Sequence, residues 1–151
     1  MKIYLDVSCL NRPFDDQSQA RVRLEAEATT MILERCEGGG WQQVSSEMAK
    51  FEIDAMPDVD RRARVQLLLP DQKVMLKLTD DLFARGATLE TLGFKPADAV
   101  HVAAAEALAA DVFLSCDDRL VRLARRRRDQ LKVQVANPLD WLKEISHDAD
   151  A

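Results

Sequence analysis

Four carboxylates stand where an α/β chain concentrates its chemistry: Asp6, Glu52, Asp98 and Asp117. Asp6 closes the apolar run Ile3-Tyr4-Leu5, and Asp117 follows the apolar run Val112-Phe113-Leu114. Asp98 comes just after Pro96 at a helix start, and Glu52 sits inside a helical stretch. Taken singly, each acid has an ordinary explanation. Asp98 and Asp117 fit the first turn of a helix, where free N–H groups and the helix dipole favour a carboxylate, and Glu52 fits a solvated helix face. Asp6 is harder to explain, because a charge beside a buried sheet is costly unless paired or liganded. Taken together the acids repel one another, and a divalent cation is the natural way to hold them. Oxygen donors without His or Cys at ligand spacing point to Mg²⁺ or Mn²⁺ rather than zinc. Such an ion activates water and stabilises the charge that develops when a phosphodiester is displaced.

The elements that must position these acids alternate along the chain. Lys2–Leu5 is expected as the first strand, followed by a loop containing Pro13. A helix begins near a Ser18 cap and stops at Gly38-Gly39-Gly40, where glycine takes left-handed conformations at little cost. Trp41–Val44 reads as a second strand, and Ser45 or Ser46 as the cap of the helix that carries Glu52. Further helices are expected from Pro57-Asp58 to Leu69 and from Thr79 to Arg85, the second ended by Gly86. Between them Lys73–Leu78 reads as extended, and a short helix is expected at Thr88–Leu92. The helix of Ala97–Ala109, a strand at Asp111–Leu114, a helix at Asp118–Arg127 with Asp118 as its cap, and a last strand at Leu131–Val135 complete the order. Strands separated by helices, with no hairpin signal, predict a parallel sheet covered on both faces. In such sheets the ligand site lies beyond the C-terminal strand ends, where the strand order reverses.

At 151 residues, 47% hydrophobic and 31% charged, the chain is expected to be one domain over residues 1–145, with 146–151 as a frayed tail. No apolar run approaches the roughly 20 residues of a membrane span. No signal-peptide layout follows Met1, so a cytoplasmic location without membrane contact is expected. Three widely spaced cysteines suit neither a disulfide framework nor a zinc site. A net charge of −5 argues against nucleic-acid binding driven by overall charge, although local basic contacts remain open. The run Arg125–Arg128 favours a solvated helix terminus over a phosphate-steering patch, because four consecutive helical residues point in all directions. His101 is expected to pack or support rather than to catalyse, and Trp41 and Trp141 to serve the core or an interface.

Four segments resemble the small prokaryotic PIN-domain proteins that include VapC-type toxins: YLDVSCLNR at Tyr4–Arg12, SSEMAKFE at Ser45–Glu52, KPADAVHVAAA at Lys95–Ala105 and FLSCDDRL at Phe113–Leu120. They span nearly the whole chain in the family's order. The resemblance implies a three-layer α/β/α sandwich around a parallel sheet of four or five strands, and a metal-dependent ribonuclease site. Asp6, Glu52, Asp98 and Asp117 would hold Mg²⁺, with Mn²⁺ as a substitute. Glu52 is preferred over Glu47 because it lies six residues beyond Ser46, while Glu47 would reach the site through water. Ser8 and Ser115 match small hydroxyl residues that bond a ligand carboxylate or the substrate. The implied partners are an RNA substrate, a cognate antitoxin protein and a second copy of the chain. The segment from Asn11 to Gly40, with its extended first helix, departs from the family pattern. The rivals are an inactive PIN-like module that binds RNA or protein, and a phosphatase of another α/β family. The phosphatase reading lacks a second aspartate two residues after Asp6 and any Gly-rich phosphate loop.

Overall fold

A computed structural model describes residues 1–150, with side chains described for 1–147. Four strands, β1 (Lys2–Leu5), β2 (Gln42–Val44), β3 (Val112–Leu114) and β4 (Gln134–Ala136), form one sheet in the order β2-β1-β3-β4. Every pairing is parallel, with Tyr4 opposite both Val44 and Phe113. Among the described residues, eight α-helices connect and cover the strands: α1 (Val7–Asn11), α2 (Ala20–Glu37), α3 (Glu47–Asp54), α4 (Val59–Gln66), α5 (Asp80–Glu90), α6 (Pro96–Ala107), α7 (Asp118–Arg126) and α8 (Pro138–Asp150). The tail set apart at 146–151 falls partly at the end of α8 and partly, at Ala151, outside the described residues.

Alternation along the strands splits the core in two, since successive strand side chains point to opposite faces. Ile3, Leu5, Val112 and Leu114 pack against buried residues of α1, α2, α3, α4 and α8. Tyr4, Val44 and Phe113 pack against α5, α6 and α7. The result is the three-layer α/β/α sandwich. The alanines of α6 let that helix lie close to the sheet, with Ala99 and Ala103–Ala105 buried. Trp41 and Trp141 meet edge to face at 5.2 Å inside the first core.

Several local expectations are corrected. The segment after Asp6 is the short helix α1 and a 3₁₀ turn at Arg12–Phe14 rather than an open loop. Gly86 does not end α5, which continues to Glu90 and absorbs most of the separate helix expected at Thr88–Leu92. A Cβ at Gly86 would meet Val100 at 3.6 Å, an ordinary packing distance where α5 lies against α6. Lys73–Leu78 contributes a 3₁₀ turn and one parallel bridge, Leu76 to Ser46, instead of a strand. Helix α2 starts at Ala20 with Gln19 at its cap position, and Ser18 makes no cap. Helix α4 is shorter than expected, ending at Gln66, and the last strand is shifted to Gln134–Ala136. None of the described helices is long and apolar enough to cross a membrane.

Candidate functional site

The strand order reverses between β1 and β3, since β1 leads to β2 on one side while β3 and β4 lie on the other. Asp6 follows β1 and the Ser115-Cys116-Asp117 turn follows β3, so both turns open at that crevice. Two hydroxyls fix Asp6. Its Oδ2 accepts from Ser8 Oγ at 2.9 Å and from Ser115 Oγ at 2.7 Å. The backbone amides of Cys116 and Asp117 in turn donate to Ser8 Oγ and Ser115 Oγ, each at 3.1 Å. The two turns are thereby tied into one hydrogen-bonded unit around the Asp6 carboxylate, which is buried.

Asp117 is the N-cap of α7: its Oδ1 accepts from Arg119 N at 3.0 Å and from Leu120 N at 3.3 Å. The cap role expected of Asp118 is therefore Asp117's. The extended backbone of Asp117 turns its side chain back over the first free N–H groups. Asp118 points outward instead and takes the Arg21 guanidinium, with one contact at 2.7 Å.

Glu52 reaches the crevice from α3 and is held by a buried chain of donors. Glu52 Oε1 contacts His101 Nε2, His101 Nδ1 lies 2.7 Å from Tyr4 Oη, and Tyr4 Oη lies 2.7 Å from Ser46 Oγ. Met48 N donates to Ser46 Oγ at 3.2 Å, so Ser46 also caps α3. With a neutral imidazole each proton has one direction: Ser46 to Tyr4, Tyr4 to Nδ1, and Nε2–H to Glu52. Burial opposes the His101 cation. The hydrogen bond to Glu52 and the charges of Asp6, Glu52 and Asp98 outweigh it and raise the imidazole above its ordinary pKa. Burial lifts the Tyr4 phenol well above its usual range, which keeps it a neutral donor. Glu47, on the same helix, accepts from Leu78 N at 3.4 Å and lines a groove with Phe51 and Phe83.

Asp98, third residue of α6, shares a small pocket with Asp117, Lys95 and Arg119. Its carboxyl is pushed up to about 6, first by burial and then by the negative charges of Asp6 and Asp117, with a smaller contribution from Glu52. The charges of three acids, Asp6, Asp117 and Glu52, are thus felt at the carboxyl of a fourth.

Among the described residues, each acid keeps at least one oxygen without a hydrogen-bond partner: Asp6 Oδ1, Glu52 Oε2, Asp117 Oδ2 and both oxygens of Asp98. Those oxygens are donors of the type that a hard divalent cation takes. Both nitrogens of His101 are engaged elsewhere. Among the described residues, no three His, Cys, Asp or Glu side chains converge closely enough to be a ready-made metal group.

The three cysteines are unpaired thiols. Cys9 and Cys116 approach to 3.7 Å between sulfurs beneath the Ser8 and Ser115 turns, and burial raises the Cys9 thiol above its ordinary pKa. Another buried acid, Glu25 of α2, went unnoticed in the sequence. Its Oε1 accepts from Arg12 Nε at 2.9 Å, and its Oε2 accepts from Asn137 Nδ2 at 2.5 Å and faces Arg21 Nε at 3.4 Å. No protein-family model matches this chain, and no curated protein matches it.

Proposed function

We propose that the chain is a Mg²⁺-dependent endoribonuclease of the PIN-like kind, with Asp6, Glu52, Asp98 and Asp117 as the acids that hold the cation. One observation carries the reading. Four carboxylates from four separate segments lie around the strand-order reversal, where the charges of Asp6, Asp117 and Glu52 act on Asp98, and among the described residues each keeps an oxygen that no protein group uses. Bound there, Mg²⁺ or Mn²⁺ supplies Lewis-acid stabilisation of a phosphodiester under attack and activation of water. The rest is the chain's own work. Ser8 and Ser115 orient Asp6 by donating to Oδ2, which leaves Oδ1 without a hydrogen-bond partner among the described residues. His101, fixed by Tyr4 and Ser46, orients Glu52. Burial and neighbouring charge make Asp98 hard to ionise, and a cation reverses that bias.

RNA is favoured over a small phosphoester by the cationic side chains Lys95 and Arg119 beside Asp98 and Asp117. A cytoplasmic location, an inhibitory antitoxin and self-association belong to the same reading. The test is cleavage of single-stranded RNA by purified protein. Cleavage with Mg²⁺, loss in EDTA and a loss of about 100-fold or more in Asp98→Asn are expected, as for removal of one electrostatic contributor to the transition state. Cleavage that persists in EDTA or in Asp98→Asn contradicts the mechanism. Intact RNA with weak or no Mn²⁺ binding points to the binding module, and hydrolysis of small phosphoesters alone points to the phosphatase.

A further inference from the structure

The cations of α7 are not distributed evenly. Arg119, Leu123, Arg126 and Arg127 recur at spacings of four, three and one, the period of one helix face. Together with Leu92 and Gly93 they line a groove of about 460 Å³. Gly93, Arg119 and Leu123 also line the pocket of Asp98 and Asp117, so the groove continues directly into the acid site. Arg125 and Arg128 face another hollow, which they share with Asp129, Asp140 and Glu144. The apparently symmetric run Arg125–Arg128 is thus split into a half with acids beside it and a half without.

Ion pairing engages four arginines elsewhere in the chain and, among the described residues, none from Arg119 to Arg128. Arg12, Arg21, Arg61 and Arg85 each form an ion pair with a carboxylate. Arg119, Arg126 and Arg127 are exposed and form none among the described residues. Uncompensated guanidinium groups in a row, ending at carboxylates that can hold a cation, suit a polyanionic strand that runs along the groove and presents one phosphate to the acids. From residue 119 to 127 the helix advances roughly 12 Å, enough for more than one backbone phosphate. The apolar wall of Leu92 and Leu123 leaves room for unpaired bases on the same side.

We infer that the Arg119–Arg126–Arg127 face of α7, with Lys95 at its head, binds the backbone phosphates of single-stranded RNA next to the bond to be cut. The choice of RNA rests on the nuclease reading. The test does not, because it measures binding without turnover. A fluorescently labelled single-stranded RNA oligonucleotide is titrated by anisotropy in EDTA with wild type, with Arg126→Ser/Arg127→Ser and with Arg125→Ser/Arg128→Ser. The first pair is expected to weaken binding at least tenfold and to reduce the slope of log K against log salt by about 1.4, at about 0.7 per single-strand phosphate contact. The second pair, of equal charge change, is expected to stay within twofold. Arg119→Ser, at the junction with the acid pocket, should weaken binding in the same sense. Equal weakening by both pairs, no weakening by the first, or displacement of the RNA by polyglutamate at matching concentration overturns the inference. Binding of this kind in a protein that cuts no RNA would leave the groove standing and remove the nuclease.

Discussion

Two carboxylates in the same sandwich, Glu25 buried and Asp98 half-buried, have opposite surroundings. Glu25 sits with both oxygens engaged by Arg12, Arg21 and Asn137, so its charge is answered within the chain. Asp98 sits among Asp6, Glu52 and Asp117, and its carboxyl is driven up rather than stabilised. The contrast separates an acid that builds the fold from one that waits for something outside it. Glu25 joins α2 to the turn before α8, since Asn137 also caps α8 through its Oδ1. Asp98 joins nothing, and its neighbours each hold an oxygen in reserve.

The largest expected effect breaks the first half of this contrast. Glu25→Ala removes the acceptor of Arg12 Nε and of the Asn137 amide, leaving Arg12 only Asp15 and Arg21 only Asp118, and should lower unfolding free energy in urea by about 3 kcal/mol. A loss below about 1 kcal/mol, the scale of an exposed pair, would show that the cage around Glu25 is not structural. The second half responds to the cation. Mn²⁺ at 100 times its dissociation constant should stabilise wild type by about 2.7 kcal/mol in the same unfolding assay, and should leave Asp98→Asn nearly unchanged. Equal stabilisation of both proteins would place the ion elsewhere.

Smaller effects sharpen the comparison. Tyr4→Phe removes the donor to His101 Nδ1 and should cost about 1–2 kcal/mol, with the Mn²⁺ affinity weakened because Glu52 loses its brace. Asp98 titrates in the sense opposite to a salt-bridged acid. Its folded value of about 6 lies above its ordinary 3.8, so the folded state binds the extra proton. In EDTA, stability should fall as pH rises from 3.8 to 6 and level off above it. Solvent reaches this half-buried carboxyl, so the fall should be only about 1 kcal/mol. Asp98→Asn should flatten that part of the profile, and a profile unchanged by the substitution would remove the repulsion on which the site reading leans.

The legible parts of the chain were those written in local pattern. The strand at Lys2–Leu5, the glycine stop after α2 and the Pro-Ala-Asp entry to α6 each follow from neighbours in sequence. So did the expectation that Asp6 and Asp117 would share one sheet edge, which needs only strand ends and a parallel sheet. Contacts between distant segments were not legible. Glu52 and His101 are 49 residues apart, and nothing in either helix announces their bond. Glu25 reads as one more solvated helical glutamate beside Glu27, because the arginines that bury it lie in a turn and on the preceding helical turn. Gly86 reads as a stop, yet α5 runs through it to Glu90, packed against α6. Asp117 and Asp118 were assigned opposite duties because a one-residue shift in the helix start exchanges them.

That adjacent pair offers the most direct measurement. Asn caps a helix about as well as Asp, so Asp117→Asn keeps the start of α7 while removing one negative charge from the site. Asp118→Asn removes the same charge one residue away, from an exposed acid already paired with Arg21. Titration of Mn²⁺ into each variant by calorimetry should show affinity at least tenfold weaker for Asp117→Asn and within twofold of wild type for Asp118→Asn. Equal affinity in the two variants, or no Mn²⁺ binding by wild type, would contradict the account.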